Sequence, residues 1–285
     1  MIVPERPSTL AAVASHYDEL DPAYRRIWGE HVHHGYWQHG HETAADAAAA
    51  LVRLVEQALA LEPDQRVCDI GCGYGATAAD LLKRYDISIT GLTVSAAQHR
   101  LAAGRAPGFT CLLRDWLDNG LESAAFDRAY AIESSEHMTD KDRFFAEARR
   151  VLRPGGRLVV CAWLEGETAT PWQVRHLLLP ICHEGRLPSM GSRADYAEMA
   201  ALAGFELIGY QDISRQVVRT WQICLGRLLK RLLTDGEIRR LAFSPSTTNR
   251  AFMLSLPRLI IALRTGAMRY GIFQWKAQSR LIRSE

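Results

Sequence analysis

Six cysteines occur in the 285 residues (Cys68, Cys72, Cys111, Cys161, Cys182 and Cys224), but no two form a C-x-x-C pair. Most lie in apolar runs, so buried, reduced thiols in a cytoplasmic protein are expected. No basic segment followed by an apolar one opens the chain. Pro4, Glu5 and Pro7 interrupt it instead, and no secretory signal is expected. No apolar run suits a membrane span, since residues 251–268, the most apolar late stretch, carry Pro257, Arg258 and Arg264. No tract reads as low complexity, and the alanine-rich residues 44–50 sit inside a helical pattern. Residues 31–41 hold five histidines, yet no carboxylate or cysteine is spaced to complete a metal site. No metal is expected there, and a substrate-facing loop rich in aromatic groups, with Tyr36 and Trp37, fits better.

What is present is an ordinary globular composition, 48% hydrophobic and 23% charged. The net charge of +2 hides an asymmetry. Residues 214–285 carry 14 Lys and Arg against three acids, a local excess of +11, whereas the remainder carries 20 bases and 29 acids, or −9. A basic C-terminal quarter suits an anionic partner, whether a phosphorylated substrate, an acidic lipid surface or nucleic acid; it also suits a solvated helical face. The basic residues fall in apolar helical patterns and not in a solvated arm, so no nucleic-acid partner is expected.

The chain is organised around Val67-Cys68-Asp69-Ile70-Gly71-Cys72-Gly73-Tyr74-Gly75. A short apolar run ends in an acid, three glycines follow at alternate positions, and an amphipathic segment begins. This reads as strand, tight turn and helix, with glycine permitting positive φ and close approach to a ligand. Gly71, Gly73 and Ala76 fit the dinucleotide pattern G-x-G-x-x-G/A. However, the second strand ends Thr90-Gly91-Leu92-Thr93, with no acid for a ribose, which leaves another nucleotide-like ligand.

Around this motif, residues 8–30 read as two short helices, the second opened by Pro22, and residues 42–61 as one long helix. Apolar runs at residues 87–92, 109–113, 126–132 and 157–163 read as further strands alternating with helices at 95–103 and 141–152. Residues 153–156, Arg-Pro-Gly-Gly, read as a turn. Helices are expected at 171–181 and 192–203, and a sixth strand at 205–213. Residues 216–233 and 249–265 look helical. Residues 271–277 alternate as a strand that returns antiparallel. The expected fold is therefore α/β: a Rossmann-like, seven-stranded, mostly parallel sheet with an antiparallel last strand, plus a helical lid. Three parts are expected: N-terminal helices over the active site (1–60), a core (61–213 and 266–285), and a basic lid (214–265) inserted between the last two strands. Asp69, Thr93, Asp115, Glu133 and Trp163 fall at strand ends, where such sheets bind ligands.

The glycine motif together with Leu152-Arg153-Pro154-Gly155-Gly156 resembles the class I S-adenosylmethionine-dependent methyltransferases. Thr90-Gly91-Leu92-Thr93-Val94-Ser95 with Gln98, His33-His34-Gly35-Tyr36-Trp37, and Glu133-Ser134-Ser135-Glu136-His137-Met138 are similar to the branch holding sterol, tocopherol and cyclopropane-fatty-acid methyltransferases. The helical insertion followed by Tyr270-Gly271-Ile272-Phe273 most resembles the tocopherol C-methyltransferases. The resemblance implies S-adenosylmethionine as cofactor and methyl transfer to carbon of a small isoprenoid-type molecule. The rival within enzymes is an O- or N-methyltransferase of a phenolic or other natural product.

The resemblance also implies roles. Asp69, Gly71, Cys72, Gly73 and Gly75 would hold the methionine part of the cofactor, and Thr93, Val94, Ser95 and Gln98 its ribose and adenine side. Asp115 would accept from the adenine amino group beside Trp116, although a helix cap needs the same residue. Tyr17, in His16-Tyr17-Asp18, would close over the cofactor carboxylate, and Glu133 would also face the cofactor. Methylation of an alkene or arene carbon leaves positive charge and then needs a base. Glu136 is the favoured base or cation stabiliser, with His137 as orienting partner or alternative base. Tyr36, Trp37, Trp163 and Trp221 are candidate ring faces for the cation or simple core residues. Arg114, Arg215 and Arg219 would bind a diphosphate if the substrate is a prenyl diphosphate, and only then would Mg2+ be needed. Alternatively the lid lies on an acidic membrane and admits a prenyl-tailed phenol or quinol.

Overall fold

The computed structural model describes residues 1–245, 247, 251 and 255–279. Seven strands form one sheet in the order β3-β2-β1-β4-β5-β7-β6. They are β1 (Arg66–Ile70), β2 (Ser88–Thr93), β3 (Phe109–Leu113), β4 (Phe126–Ile132), β5 (Leu152–Glu165), β6 (Phe205–Asp212) and β7 (Met268–Ala277). Strands β1 to β5 pair in parallel. Strand β7 enters between β5 and β6, antiparallel to both. The strand order reverses at β1, which pairs with β2 on one side and β4 on the other, so a crevice opens beyond its carboxyl end.

Side chains alternate along the central strands and fill two cores. Val159, Cys161, Tyr270 and Ile272 face one core with α1 (Leu10–Ile27), α2 (Ala44–Leu59) and α9 (Ser214–Thr234). Leu158, Val160, Ala162, Phe273 and Trp275 face the other with α5 (Lys141–Val151) and α8 (Arg193–Leu202). The helices begin where side chains satisfy free backbone N–H groups. Thr43, Ser95 and Asp140 cap α2, α4 (Ala96–Ala102) and α5, and Ser192 with Asp195 forms a capping box for α8.

Three local expectations are corrected. Residues 8–30 do not make two helices: α1 runs through Pro22 without a break. Leu20, Ala23, Tyr24 and Ile27 are buried on both sides of that proline, so packing outweighs the lost backbone bond. Residues 153–156 are not a turn before the fifth strand but its opening, with Gly155 at φ 78° and a register shift between Phe126 and Arg128. The helix expected at 171–181 is α6 (Pro171–Gln173), a π-helical turn (Val174–Leu178) and α7 (Leu179–Glu184).

Between β6 and β7 lie α9, α10 (Gly236–Phe243) and α11 (Leu256–Thr265). Of the helix expected at 249–265, residues 249, 250 and 252–254 lie outside the described residues, as do 280–285 of the expected core. The inner face of α9 buries Val217, Val218, Trp221, Cys224 and Leu228. The insertion is thus part of the core. No helix among the described residues is long and apolar enough to cross a membrane.

Candidate active site

Beyond the ends of β1 to β4 lies a cleft of about 670 Å³. Gly71 and Gly73, Thr93, Val94 and Gln98, and Arg114, Asp115 and Trp116 line it, and Leu10, Val13 and Tyr17 of α1 roof it. Glycine is required at two points. At Gly71 (φ 81°) a Cβ would stand 2.3 Å from the Ser134 Cβ. At Gly73 (φ 54°) a Cβ would meet nothing within 4 Å, because the space it would enter is the cleft. An open, backbone-walled cradle with apolar surfaces and a few polar groups fits a nucleoside joined to an amino acid.

The remaining loop residues serve the cradle from behind. Gly75 (φ 72°) opens α3 (Ala76–Leu82) against the Phe109 ring. Cys72 turns its thiol toward Cys111, 3.6 Å away, and lines a smaller hollow with Asp69. Buried Asp69 accepts from the Tyr130 hydroxyl at 2.7 Å. Burial raises its carboxyl to about 7, against the pull of that bond. Ser95 does not line the cleft: its Oγ accepts from the Gln98 N–H at 3.1 Å and donates to Asp18 at 2.5 Å. Asp115 both lines the cleft and caps a 3₁₀ turn, accepting from the Leu117 N–H at 3.0 Å. Trp116 donates to the Phe144 carbonyl, and Arg114 to that of Asn119.

A second, partly open hollow adjoins the cleft. Tyr17, Val32, Glu133 and His137 line both spaces. Its other walls include His16, Tyr24, Trp28, Trp163, Leu187 and Trp221, together with Glu136. No lysine or arginine lines it among the described residues.

Two buried carboxylates sit at this junction in opposite electrostatic settings. Glu133, at φ 53°, ends β4 in a strained left-handed conformation. It accepts from the backbone and Nδ1 of His34 at 2.7 and 2.8 Å, from the Tyr270 hydroxyl at 2.8 Å and from the Trp163 indole at 3.1 Å. Burial alone would raise its carboxyl, but His34 outweighs this and holds it at about 2. Glu136 accepts from the Trp163 backbone N–H at 2.6 Å and from Ser135 at 3.2 Å. Burial pushes it up to about 7 against the Trp163 bond, and the Glu133 charge adds to the rise. Trp163 thus ties the two carboxylates together, one ionised and one titrating near neutrality.

His137 donates from Nδ1 to the Arg186 carbonyl at 3.3 Å, so Nε2 accepts from the Tyr17 hydroxyl at 2.8 Å. Burial lowers its pKa to about 4, which suits this neutral tautomer.

Several expected substrate residues stand elsewhere. Arg215 and Arg219 line neither cavity. On α9, with Val218, Trp221 and Cys224 turned inward, the helical period carries both arginines to the exposed side. Arg219 lies over the Trp37 ring, 5.4 Å from its centroid. Trp37 itself donates to Thr220 at 2.9 Å, and the Tyr36 backbone N–H bonds to Ala47; neither lines the cavities. Arg114 lines only the outer cleft. Of residues 31–41, Val32 alone reaches the inner cavity. The sequence reading missed His34 as the partner of Glu133, and His16, Tyr24, Trp28 and Leu187 as walls. His16 and Tyr24 flank Tyr17 on α1 at helical spacing, which was the available signal.

Comparison with known proteins decides the kinship. The family model of mycolic acid cyclopropane synthetase matches residues 5–257. The chain belongs to that family. It is an S-adenosylmethionine-dependent methyltransferase of class I. A relative from Oryza sativa subsp. japonica, a probable chloroplastic tocopherol O-methyltransferase, is 30% identical over 287 residues, 93% of this chain and 78% of the relative. The crystal structure of a mycolic acid cyclopropane synthase complexed with SAH and CTAB superposes with a TM-score of 0.83 at 23% identity, over 95% of this chain and 99% of that one. A geranyl diphosphate C-methyltransferase from Streptomyces coelicolor A3(2), in complex with Mg2+, geranyl diphosphate and S-adenosyl-L-homocysteine, gives 0.70 at 19% identity, over 95% and 100%. These likenesses establish the Rossmann-like methyltransferase fold of this family member.

Proposed function

We propose that this methyltransferase adds a methyl group to a carbon atom of an apolar isoprenoid-type acceptor, a prenyl-tailed phenol or quinol in preference to a prenyl diphosphate. The observation that carries the reading is the inner cavity: aromatic walls, two buried carboxylates and no cationic side chain. A diphosphate would need arginine or lysine there, or a carboxylate cluster for its metal. No group of side chains able to hold a metal occurs among the described residues. The solved neighbour bound to geranyl diphosphate and Mg2+ supports the diphosphate alternative, and the basic, outward-facing lid helices support peripheral contact with an acidic membrane.

S-adenosylmethionine supplies an electrophilic methyl group on a positively charged sulfur. The backbone at Gly71 and Gly73, with Thr93, Val94, Gln98, Asp115 and Trp116, would hold it in the outer cleft. The acceptor lies in the inner cavity, and the two meet at Tyr17, Val32, Glu133 and His137. Confinement aligns the acceptor carbon and excludes water. As its π electrons form the new C–C bond, the S–CH3 bond would break with its electron pair left on sulfur, S-adenosylhomocysteine would be the leaving group, and positive charge would pass to the acceptor. The rings of Trp163 and Trp221 and the ionised Glu133 stabilise that charge. Glu136 then removes a proton, restoring the double bond or the aromatic ring.

A second reading has one specific observation in its favour. Neutral His137, oriented by the Arg186 carbonyl, could deprotonate a phenol for O-methylation, the reaction named for the rice relative. All six cysteines are free, which supports a reducing compartment such as the cytoplasm, while the rice relative's name places that protein in the chloroplast. Incubation with methyl-labelled cofactor and prenyl diphosphates, prenylated quinols and simple phenols, followed by mass-spectrometric location of the label, tests the proposal. Label on carbon of a prenylated quinol or phenol is expected; label on oxygen, or turnover of diphosphates alone, would overturn it.

A further inference from the structure

Lys141 opens α5 and is only 5% exposed. Its position is costly twice over. An ammonium is removed from water, and it stands at the positive end of a helix dipole. Yet no carboxylate ion pair holds it among the described residues. Its Nζ is surrounded by oxygens of two loops: the Ser189 hydroxyl at 2.8 Å and carbonyl at 3.2 Å, and the carbonyls of Glu136 at 3.3 Å and Met138 at 3.4 Å. The first loop follows α7 and supplies Leu187 to the inner cavity and the Arg186 carbonyl to His137. The second is the 3₁₀ turn Ser135–His137, which carries Glu136 and His137 themselves.

We propose that Lys141 is a positioning residue that clamps the turn bearing Glu136 and His137 to the Arg186–Ser189 segment, and so fixes where both side chains meet the acceptor. A point charge with three rotatable donors suits four convergent oxygens better than any neutral side chain does. The charge also acts at a distance, favouring ionised Glu136 and unprotonated His137. The groups that face this unit are Glu133 at the end of β4, His16 and Tyr17 on α1, Cys161 on β5, Cys182 on α7, the Arg186 guanidinium, Tyr196 on α8 and Tyr270 on β7. None of them reproduces a cation held against the Glu136 carbonyl.

The inference rests on the proposed role of Glu136, and the test separates the two. In Lys141→Met, kcat for label transfer is expected to fall about 10- to 100-fold, as for a misplaced catalytic group. Affinity for S-adenosylhomocysteine should stay within about twofold, since the outer cleft is untouched. The rise of kcat with pH should move to higher pH, because Glu136 loses a neighbouring cation. Lys141→Arg should keep the wild-type pH limb. If Lys141→Met does not fold, Ser189→Ala serves instead, with kcat lowered severalfold at unchanged cofactor affinity. Loss of rate with an unmoved pH limb in Lys141→Met, or wild-type kcat in it or in Ser189→Ala, would overturn the clamp. Should Glu136→Gln retain full activity, the role of Glu136 itself fails; should it abolish activity while Lys141→Met behaves as wild type, the clamp alone fails.

Discussion

The outer cleft and the inner cavity share a wall of four residues and differ in how the rest is built. Short sequence runs at the ends of adjacent parallel strands make most of the cleft: two glycines with positive φ, then Thr93 and Val94, then Arg114, Asp115 and Trp116. Side chains make the cavity, drawn from α1, the end of β4, β5, the loop after α7, and α9. A space walled by large side chains takes its specificity, and its stability, from each of them.

The sharpest way to separate the two is Glu136→Gln. It keeps the shape of the cavity and removes the base, so kcat should fall about 10²- to 10⁴-fold while calorimetric affinity for S-adenosylhomocysteine stays unchanged. Loss of cofactor affinity instead would show that the two spaces are one functional unit. Trp221→Ala attacks the same space through packing. This residue is 1% exposed and meets the Trp28, His34 and Trp163 rings edge-on. Its truncation should lower unfolding free energy by about 3–5 kcal/mol in denaturant titration. Gly73→Val is the mirror experiment in the cleft. A non-glycine residue at positive φ costs about 1–3 kcal/mol, and the branched side chain fills the cradle, so cofactor affinity should drop roughly 100-fold or more. The inner cavity should be indifferent, as judged by tryptophan fluorescence.

How much of each space was legible in the sequence follows from the same contrast. Asp69, the glycines, Thr93 and Asp115 stood at strand ends because alternating strands and helices leave few alternatives. The sheet with its antiparallel last strand followed from the same alternation. The cavity was legible only at Tyr17, Glu133, Glu136, His137, Trp163 and Trp221. Tyr24 and Trp28 read as ordinary residues on an amphipathic helix, and His34 as part of a histidine-rich loop. What makes Tyr24 and Trp28 walls is α9 folding back over α1, a contact between residues about 200 apart, such as Arg227 to the Ile27 carbonyl at 2.7 Å. The basic excess of residues 214–285 was real, but helical phase turned Arg215 and Arg219 away from the cavity.

Acidity offers a more modest discrimination. His16, His33 and His137 are held near 3, 4 and 4 by burial, so below the ordinary 6.5 the unfolded chain binds their protons first. That favours stability at higher pH. Asp69 and Glu136, raised to about 7, act in the opposite sense between about 4.5 and 7, where the native state holds the extra protons. The two sets largely offset each other there. Below about 4.5 the histidines are joined by carboxylates held low, Glu133 at about 2 and Glu42 at about 2 among them, and all of these take up protons on unfolding. The urea midpoint should therefore fall gently from pH 6.5 to 5, with about one net proton taken up on unfolding, and steeply below about 4.5. A decline already at its steepest from pH 6.5 would show that the raised carboxylates do not offset the histidines. Smallest of all should be Arg219→Ala, which removes an exposed contact with Trp37: stability within about 1 kcal/mol and an unchanged KM for the acceptor. A marked rise in KM would restore the arginine to the site.

Helix α1 lies over both spaces, with Leu10 and Val13 above the cleft, Tyr24 above the cavity, and Tyr17 above the boundary. It is moored by Asp18 to Ser95, by the Tyr74 hydroxyl to Asp21 at 2.6 Å, and by Arg26 to Glu237 at 2.6 Å. One roof over two rooms cannot be lifted from one alone. Any movement that lets the spent cofactor out also takes Tyr17 off His137 and opens the chamber behind it. Loosening those moorings, as in Asp21→Ala, is therefore expected to speed the release of both products together, measurable as a faster off-rate for S-adenosylhomocysteine.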